Sequence, residues 1–320
     1  MSEANHERVL VELVREIAGE IGLDYQSFSQ DWILQLGKGG DKRHIVGYNF
    51  EVNSATAHML AADKAATSGA LESAGLAHVE HRLFLHPRLA NYVSSQGNWD
   101  EIQAFAKSHS FPLVVKPNEG TGGSQVTKVE NGLELEQAVT QLFDKHRAIS
   151  ISPFVEIEQE YRAILLDDEL LLIYAKMRPM LVGNGQSSII ELVQRKSVEQ
   201  SIPQNLASKA LEHYEGRLSH VLDEGEKLPL YWKHNLGTGA VPQVVAEDEL
   251  ETSIGELALK AAQAIGIRFA SVDIVRVDGE MQVLEINAGI MMEHFSRHFP
   301  DERERVKEIY AKGIAAMFTD

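Results

Sequence analysis

The chain has 320 residues, 44% hydrophobic and 24% charged, the balance of an ordinary soluble globular enzyme with room for two domains. Lys and Arg total 30 against 47 Asp and Glu, and the resulting charge of −17 argues against nucleic acid or an anionic membrane as partner. Without a single cysteine there is no disulfide framework, thiolate nucleophile or sulfur-ligated metal, so any metal must sit on oxygen or nitrogen.

Apolar Val9, Leu10, Leu13, Val14, Ile17 and Ile21 recur at helical spacing and stop near Gly22, predicting an amphipathic helix whose scattered acids exclude a signal peptide. Residues 32–36 and 44–48 read as short strands around the connection Gly37-Lys38-Gly39-Gly40-Asp41, and the alanine-rich stretch 54–75 as helix. A strand within 77–85, a loop near Pro87 and a helix over 98–108 follow. The strand 111–116 then enters the glycine-rich segment NEGTGGS and leaves through 125–129. A helix over 133–143, a strand at 148–152 and a hairpin of 161–166 with 170–176 about the acidic tip Asp167-Asp168-Glu169 come next. The apolar stretch 163–175, interrupted by that tip, is too short to span a bilayer, and a cytoplasmic protein is expected. After a polar loop and helix over 183–222, with surface residues His213 and His220, come helices at 255–265 and 303–317 on either side of a last hairpin. Hairpins interspersed with helices predict an α+β fold built of subdomains, not one doubly wound sheet.

That last hairpin, VDIVRVDGEMQVLEIN over 272–287, carries acids where buried strands normally have none. Asp278-Gly279 marks the turn. Glu285 and Asn287, two apart, share a face, and Asp273 joins them if the loop has an odd number of residues, as in a three-residue loop with Gly279 left-handed. Two carboxylates and a carboxamide in one place suit a hard cation, Mg²⁺ above all; incidental acids on a solvated hairpin are the competing reading. The segment Asn118-Glu119-Gly120-Thr121-Gly122-Gly123-Ser124 lies between two β-runs, so it is neither a P-loop nor a Rossmann turn. Its glycines allow close backbone approach to phosphate oxygens, with Lys116 as a fixed cation beside it, although a flexible hairpin tip would look the same. Together, a strand lysine, a glycine finger and a later Asp…Glu-x-Asn hairpin supply the phosphate clamp and the metal that phosphoryl transfer needs.

With these motifs in this order, the chain resembles the ATP-grasp carboxylate–amine ligases over about residues 30–300. FPLVVKPNEGTGGSQV is similar to the phosphate loop of D-alanine–D-alanine ligases and cyanophycin synthetases, ADKAATSGALESAGLAHV to the helix that brings a second ATP lysine, here Lys64, and VDIV…LEINA to the metal signature. LQLGKGGDKRHIVG, MLVGNGQSSIIELV and KHNLGTGA look like segments of the cyanophycin synthetase, glutathione synthetase and ribosomal-protein glutamate ligase branch. Lys233 replaces an Arg of that pattern, Ala240 a Gly, and Ser271 stands where D-alanine ligases carry Arg; GIMMEHFSRHF takes the place of the usual Pro-Gly turn.

The resemblance implies an ATP-grasp fold in which two α+β subdomains, 61–151 and 152–320, sandwich ATP after a short N-terminal α/β segment, 1–60. ATP phosphates fall to Lys64, Lys116 and the Glu119, Gly120, Thr121, Gly122, Gly123 and Ser124 backbone. Adenine and ribose fall to Ser152, Pro153, Phe154, Val155 and Glu160, and one or two Mg²⁺ (or Mn²⁺) to Asp273, Glu285 and Asn287. Arg178, or its neighbour Lys176, faces the transferring phosphate, and Asn235 with the 237–239 backbone supports the oxyanion. Small-molecule carboxylate and amine substrates are implied. The brief segment before the grasp implies a second copy completing the acceptor site, hence a homodimer. Transfer of the acyl phosphate to another acceptor, and a non-catalytic nucleotide-binding regulatory module, are the alternatives. Arg162 reads either as a ligand residue or as the partner of a structural acid, and Met291 and Met292 as packing. His294 and His298, four apart, lack a third partner for zinc.

Overall fold

The computed structural model describes residues 7–89, 99–120, 123, 125–199, 202–245 and 249–319. Helix α1 (Val9–Glu20) buries Leu10, Leu13, Val14 and Ile17, the stripe expected of it, while Ile21 falls beyond its end and is exposed. A four-stranded antiparallel meander follows, of β1 (Asp24–Phe28), β2 (Ile33–Lys38), β3 (Asp41–Val46) and β4 (Asn49–Phe50). The β2–β3 turn runs through left-handed Gly39 and Gly40. Strand β1, DYQSF, is largely exposed and has no apolar alternation to betray it.

The alanine-rich stretch is two helices, not one: α2 (Ala55–Ala62) and α3 (Lys64–Ser73). Asp63 is extended (φ −94°, ψ 107°), ends α2, and caps α3 by accepting the Ala66 N–H at 2.8 Å. Next come β5 (Arg82–Leu85), α4 (Trp99–His109), β6 (Leu113–Pro117), β7 (Thr127–Val129), α5 (Gly132–Phe143) and β8 (Ala148–Pro153). The strands form an antiparallel sheet ordered β5-β8-β6-β7. One face gives Phe84, Leu113, Val115, Ile149 and Ile151 to a core with Phe105, Leu135 and Val139 of α4 and α5. Alternation turns Val114, Lys116, Ser150 and Ser152 to the other face.

Strand β9 (Gln159–Leu166) leads into β10 (Glu169–Met177) around left-handed Asp167, whose carboxylate is forked by Arg268 at 2.7 and 3.1 Å. Two compact units divide the chain, one of residues 1–173 and 246–320, the other of 174–245. The second unit pairs the distal part of β10 with a later strand and adds β11 (Met180–Val182), α6 (Ile189–Val198), α7 (Gln204–His213), β12 (Lys227–Pro229) and β13 (Val241–Val244), the partner of β10. Its own core gathers Leu181, Ile189, Val193, Leu206, Leu222 and Leu230. Ser188 and Glu191 start α6 with a capping box.

The first unit resumes with α8 (Glu249–Ile265), β14 (Phe269–Val277), β15 (Glu280–Asn287), α9 (Glu293–His298) and α10 (Arg303–Met317). There β14 lies between β9 and β15, antiparallel to both, with α8 packed on the three. No side chain of its own caps α1; buried Glu293 accepts the Val9 and Leu10 N–H groups at 2.9 and 3.2 Å, a carboxylate at the positive helix end. Arg303, then Lys307, hold the Glu16 carboxyl down at about 2 and clasp α10 to α1. Met292 is fully buried, so its packing role holds, while Met291 is exposed. Among the described residues no helix is long and apolar enough to cross a membrane.

Gly313 brings α10 against β14: a Cβ there would sit 2.5 Å from the Phe269 ring. Gly313→Ala is therefore expected to lower the unfolding free energy by about 1–2 kcal/mol through overpacking, despite alanine's better helix propensity. A urea midpoint that stays put or rises would mean that the ring can move aside.

Candidate functional site

The β14–β15 hairpin differs from the expected one in an instructive way. Its loop has two residues, Asp278 and Gly279, both left-handed (φ 50° and 80°), which is a type I′ turn in place of the three-residue loop. That turn alone would set Asp273 opposite Leu284. A bulge between Asp273 and Ile274 shifts the register, so that Ile274 pairs with Val283 and Asp273 with Glu285. The parity that the site requires thus comes from inside the strand. Asn287 Nδ2 donates to Glu285 Oε1 at 3.1 Å, which brings the three residues together. Leu284, the extra residue, joins Val79, Val155, Ile157, Val275 and Val277 in a small apolar cluster.

Asp273 is buried and does not stand alone. Arg162, its register partner on β9, forks it with Nε and Nη2, both at 2.7 Å. Arg162 is thus the partner of a buried acid. The donor set of two carboxylates and an amide is made of oxygens only and fits a hard divalent cation that keeps water or phosphate on its other positions. Ser271 Oγ, across the ladder from Asn287, is buried without a hydrogen-bond partner among the described residues. Among those residues no group of three His, Cys, Asp or Glu could hold a metal.

Lys64 and the base of the glycine finger, both phosphate candidates, meet at the N-terminus of α3. The Lys64 N–H donates to Asn118 O at 3.2 Å, Asp63 bridges Glu119, and Lys64 Nζ donates to Gly120 O at 2.8 Å, pinning the base of the finger. Gly123 is in the left-handed region at φ 67°; Thr121, Gly122 and Ser124 lie outside the described residues. Lys116 is buried on the polar sheet face, paired with Ser150, whose buried Oγ has no hydrogen-bond partner among the described residues. Lys64 and Glu285 line one small cavity between α3 and β15, with Ser68 and His81. The finger, one of its lysines and one metal candidate therefore adjoin.

His81 has no signal in the sequence: it is a single histidine after a loop. It is buried, its Nδ1–H donates to Val79 O at 2.8 Å, and Nε2 therefore carries a lone pair with no hydrogen-bond partner among the described residues. Burial first, then the charges of Lys116 and Lys64, hold it far below the ordinary histidine pKa, so it is neutral. The adenine candidates follow β8. Ser152 is buried opposite Val114, the Phe154 N–H donates to Pro112 O at 3.1 Å, and Lys128 Nζ lies 4.1 Å from the Phe154 ring centroid. Val155 enters the apolar cluster of Leu284, and Glu160 is buried opposite Val275, a strand residue of that same cluster.

In the second unit Lys176 is buried on β10 opposite Pro242, and Arg178 Nη1 donates to Trp232 O at 3.5 Å. Both charges, after burial, press His234 down to about 3. Asn235 starts a tight turn in which its carbonyl takes the Thr238 and Ala240 N–H groups, at 3.0 and 3.2 Å, and Leu236 O takes that of Gly239 at 3.2 Å. Those amides are used inside the turn, so the expected backbone support for an oxyanion is not available from Thr238 or Gly239. Lys233 is half-buried, and burial followed by repulsion from Lys209 lowers it to about 8.

Two outcomes follow from these environments. Arg162→Met leaves Asp273 buried without its partner and is expected to cost about 3–5 kcal/mol, read by chemical denaturation; a loss under 1 kcal/mol would mean that the pair is not structural. Removing the neighbouring charge with Lys209→Gln is expected to raise the Lys233 midpoint above 8, because repulsion had favoured its neutral form. NMR titration of ¹³C-methylated lysines reads this, and an unchanged midpoint contradicts it.

Residues 229–302, which include Asn235 and the 273–287 hairpin, match the RimK-like ATP-grasp domain. The cyanophycin synthetase of Geminocystis herdmanii is 24% identical over 311 residues, 90% of this chain and 34% of its own length. The glutathione biosynthesis bifunctional protein of Clostridium perfringens is 27% identical over 199 residues, 58% of this chain and 25% of that protein. This chain spans about a third of the length of the cyanophycin synthetases it matches. Among solved structures, the D-alanine–D-alanine ligase of Bacillus anthracis aligns with a TM-score of 0.54 at 16% identity, over 83% of this chain and 68% of that one. The bifunctional glutathione synthetase of Pasteurella multocida gives 0.54 at 18% identity, over 96% and 44%. The chain has the ATP-grasp fold, and its RimK-like segment, residues 229–302, takes in the 235 turn and the 273–287 hairpin.

Proposed function

We propose that the protein is an ATP- and Mg²⁺-dependent carboxylate–amine ligase that joins an amino acid or short peptide to an amine. The observation that carries this reading is that Lys64, which holds the base of the glycine finger through Gly120 O, and Glu285 line one cavity, with Asp273 and Asn287 beside Glu285. The partition into 1–60, 61–151 and 152–320, a second copy completing the acceptor site and a cytoplasmic location belong to the same reading.

A carboxylate is a poor acyl donor because oxide is a poor leaving group. Its oxygen attacks the γ-phosphorus of ATP, ADP departs, and the carboxylate becomes an acyl phosphate. The amine then attacks the acyl carbon, phosphate leaves with the electron pair of the broken C–O bond, and loss of a proton from nitrogen gives the amide. Positioning and charge do most of the catalytic work. Lys64, Lys116 and the finger backbone hold the phosphates. Ser152–Val155 and Glu160 take the adenine and ribose. Arg178, with Lys176 behind it, neutralises the transferring phosphoryl group, and Asn235 donates to the oxygen on which charge develops. Asp273, Glu285 and Asn287 would hold Mg²⁺, or Mn²⁺ in its place, which neutralises phosphate charge when bound. Arg162 orients Asp273 for that task.

ADP release measured across pairs of acids and amines tests this. Turnover that needs both partners is expected, and Glu285→Gln or Arg178→Met should lower kcat about 10²–10³-fold. ATP binding without turnover under any pair would favour a regulatory nucleotide-binding module, and no nucleotide binding would remove both readings.

A further inference from the structure

Asn118 follows Lys116 by two residues and stands at the base of the glycine finger, where none of the roles assigned above uses its side chain. It is 1% exposed. A buried carboxamide is costly unless it is hydrogen-bonded, and this residue is bonded to two other elements. Its N–H donates to Ala148 O of β8 at 3.3 Å. Its carbonyl accepts the Lys64 N–H at 3.2 Å, and its side-chain Oδ1 accepts the Ala65 N–H at 3.3 Å. Four amides at the start of a helix have no partner within it, and in α3 they belong to Asp63, Lys64, Ala65 and Ala66. The end of α2 takes the first, Asp63 Oδ1 takes the last, and Asn118 takes the two between.

Lys64 is thereby placed twice. Asn118 holds its backbone at the first position of α3, and its Nζ donates to Gly120 O at 2.8 Å. An ammonium has three donors, so that tether leaves two for phosphate oxygens. On its other side Asn118 is joined through Pro117 to Lys116, and the isolated bridge between Asp63 and Glu119 continues the same seam. We propose that Asn118 is a positioning residue: it registers α3 against the glycine finger and so aims Lys64 at the nucleotide phosphates before the nucleotide arrives. The aim at phosphate rests on the nucleotide role proposed for Lys64; the docking of α3 on the finger does not.

The test is a double-mutant cycle read by calorimetric binding of a non-hydrolysable ATP analogue with Mg²⁺ to the full chain. Asn118→Ala leaves the Ala65 N–H without its acceptor and is expected to weaken the analogue about tenfold, through one lost hydrogen bond and a grip no longer preorganised. In the Lys64→Met background the same substitution should cost less than about twofold, because no ammonium is left to aim. Asn131→Ala removes an asparagine cap from α5, where Oδ1 accepts the Glu134 N–H at 3.1 Å, and should lower the urea midpoint without weakening the analogue. Equal binding by the wild type and Asn118→Ala would overturn the proposal, as would an undiminished effect in the Lys64→Met background. An equal loss in Asn131→Ala would also overturn it, by assigning the effect to general destabilisation. If the alanine variant does not fold, Asn118→Ser is put through the same cycle and judged by the same outcomes. If the cycle runs as expected but no acid–amine pair releases ADP, the positioning role stands and the ligase reading falls. A wild-type chain that binds no nucleotide removes both.

Discussion

In an antiparallel hairpin the sum of paired residue numbers is constant, and that sum decides which side chains share a face. The tight turn at Asp278-Gly279 sets it so that Asp273 would oppose Leu284, with Glu285 on the far side of the sheet. One extra residue changes this. The bulge passes Leu284 into the apolar cluster of Val155 and Val79 and delivers Glu285 to the face of Asp273. Arg162 on β9 can then hold Asp273 from one side while Glu285 and Asn287 stand on the other. A regular ladder would have left Glu285 on the face away from Asp273.

Charge is distributed with the same economy. Overall the protein is strongly acidic, yet several cations are withdrawn from water: Lys116 and Lys176 are buried, and Arg162 and Lys233 partly so. Taking an ammonium out of water is unfavourable unless a partner compensates. Arg162 has such a partner in Asp273. Ser150 is the register partner of Lys116, and His81 is kept uncharged first by burial and then by the charges of Lys116 and Lys64. His81 therefore adds a lone pair to the cavity it shares with Lys64 without adding positive charge.

Much of this was legible in the sequence, because it depends on local pattern. The glycine finger between two β-runs, the Asp-Gly turn and the Glu-x-Asn pair follow from spacing alone, and the closing helix from its periodicity. Other features have no local signature. The bulge that corrects the register reflects where Leu284 can be buried, a tertiary question. The break at Asp63 hides in a stretch of helix formers, and the extended residue there bridges Glu119, more than fifty residues away. His81 and Lys209 are single residues whose importance comes from neighbours far away in the chain.

The attachment of α1 bears on how the protein is made. Its positive end is closed by Glu293, and its acidic face is held by Arg303 and Lys307, so its partners are 283 to 291 residues away. This helix is synthesised well before those partners, and its contacts with them must wait until residues 293–317 have been made. Such distant pairing makes docking a late event in folding. A nascent chain stalled before that point would expose Leu10, Leu13, Val14 and Ile17, which suits it to early chaperone binding.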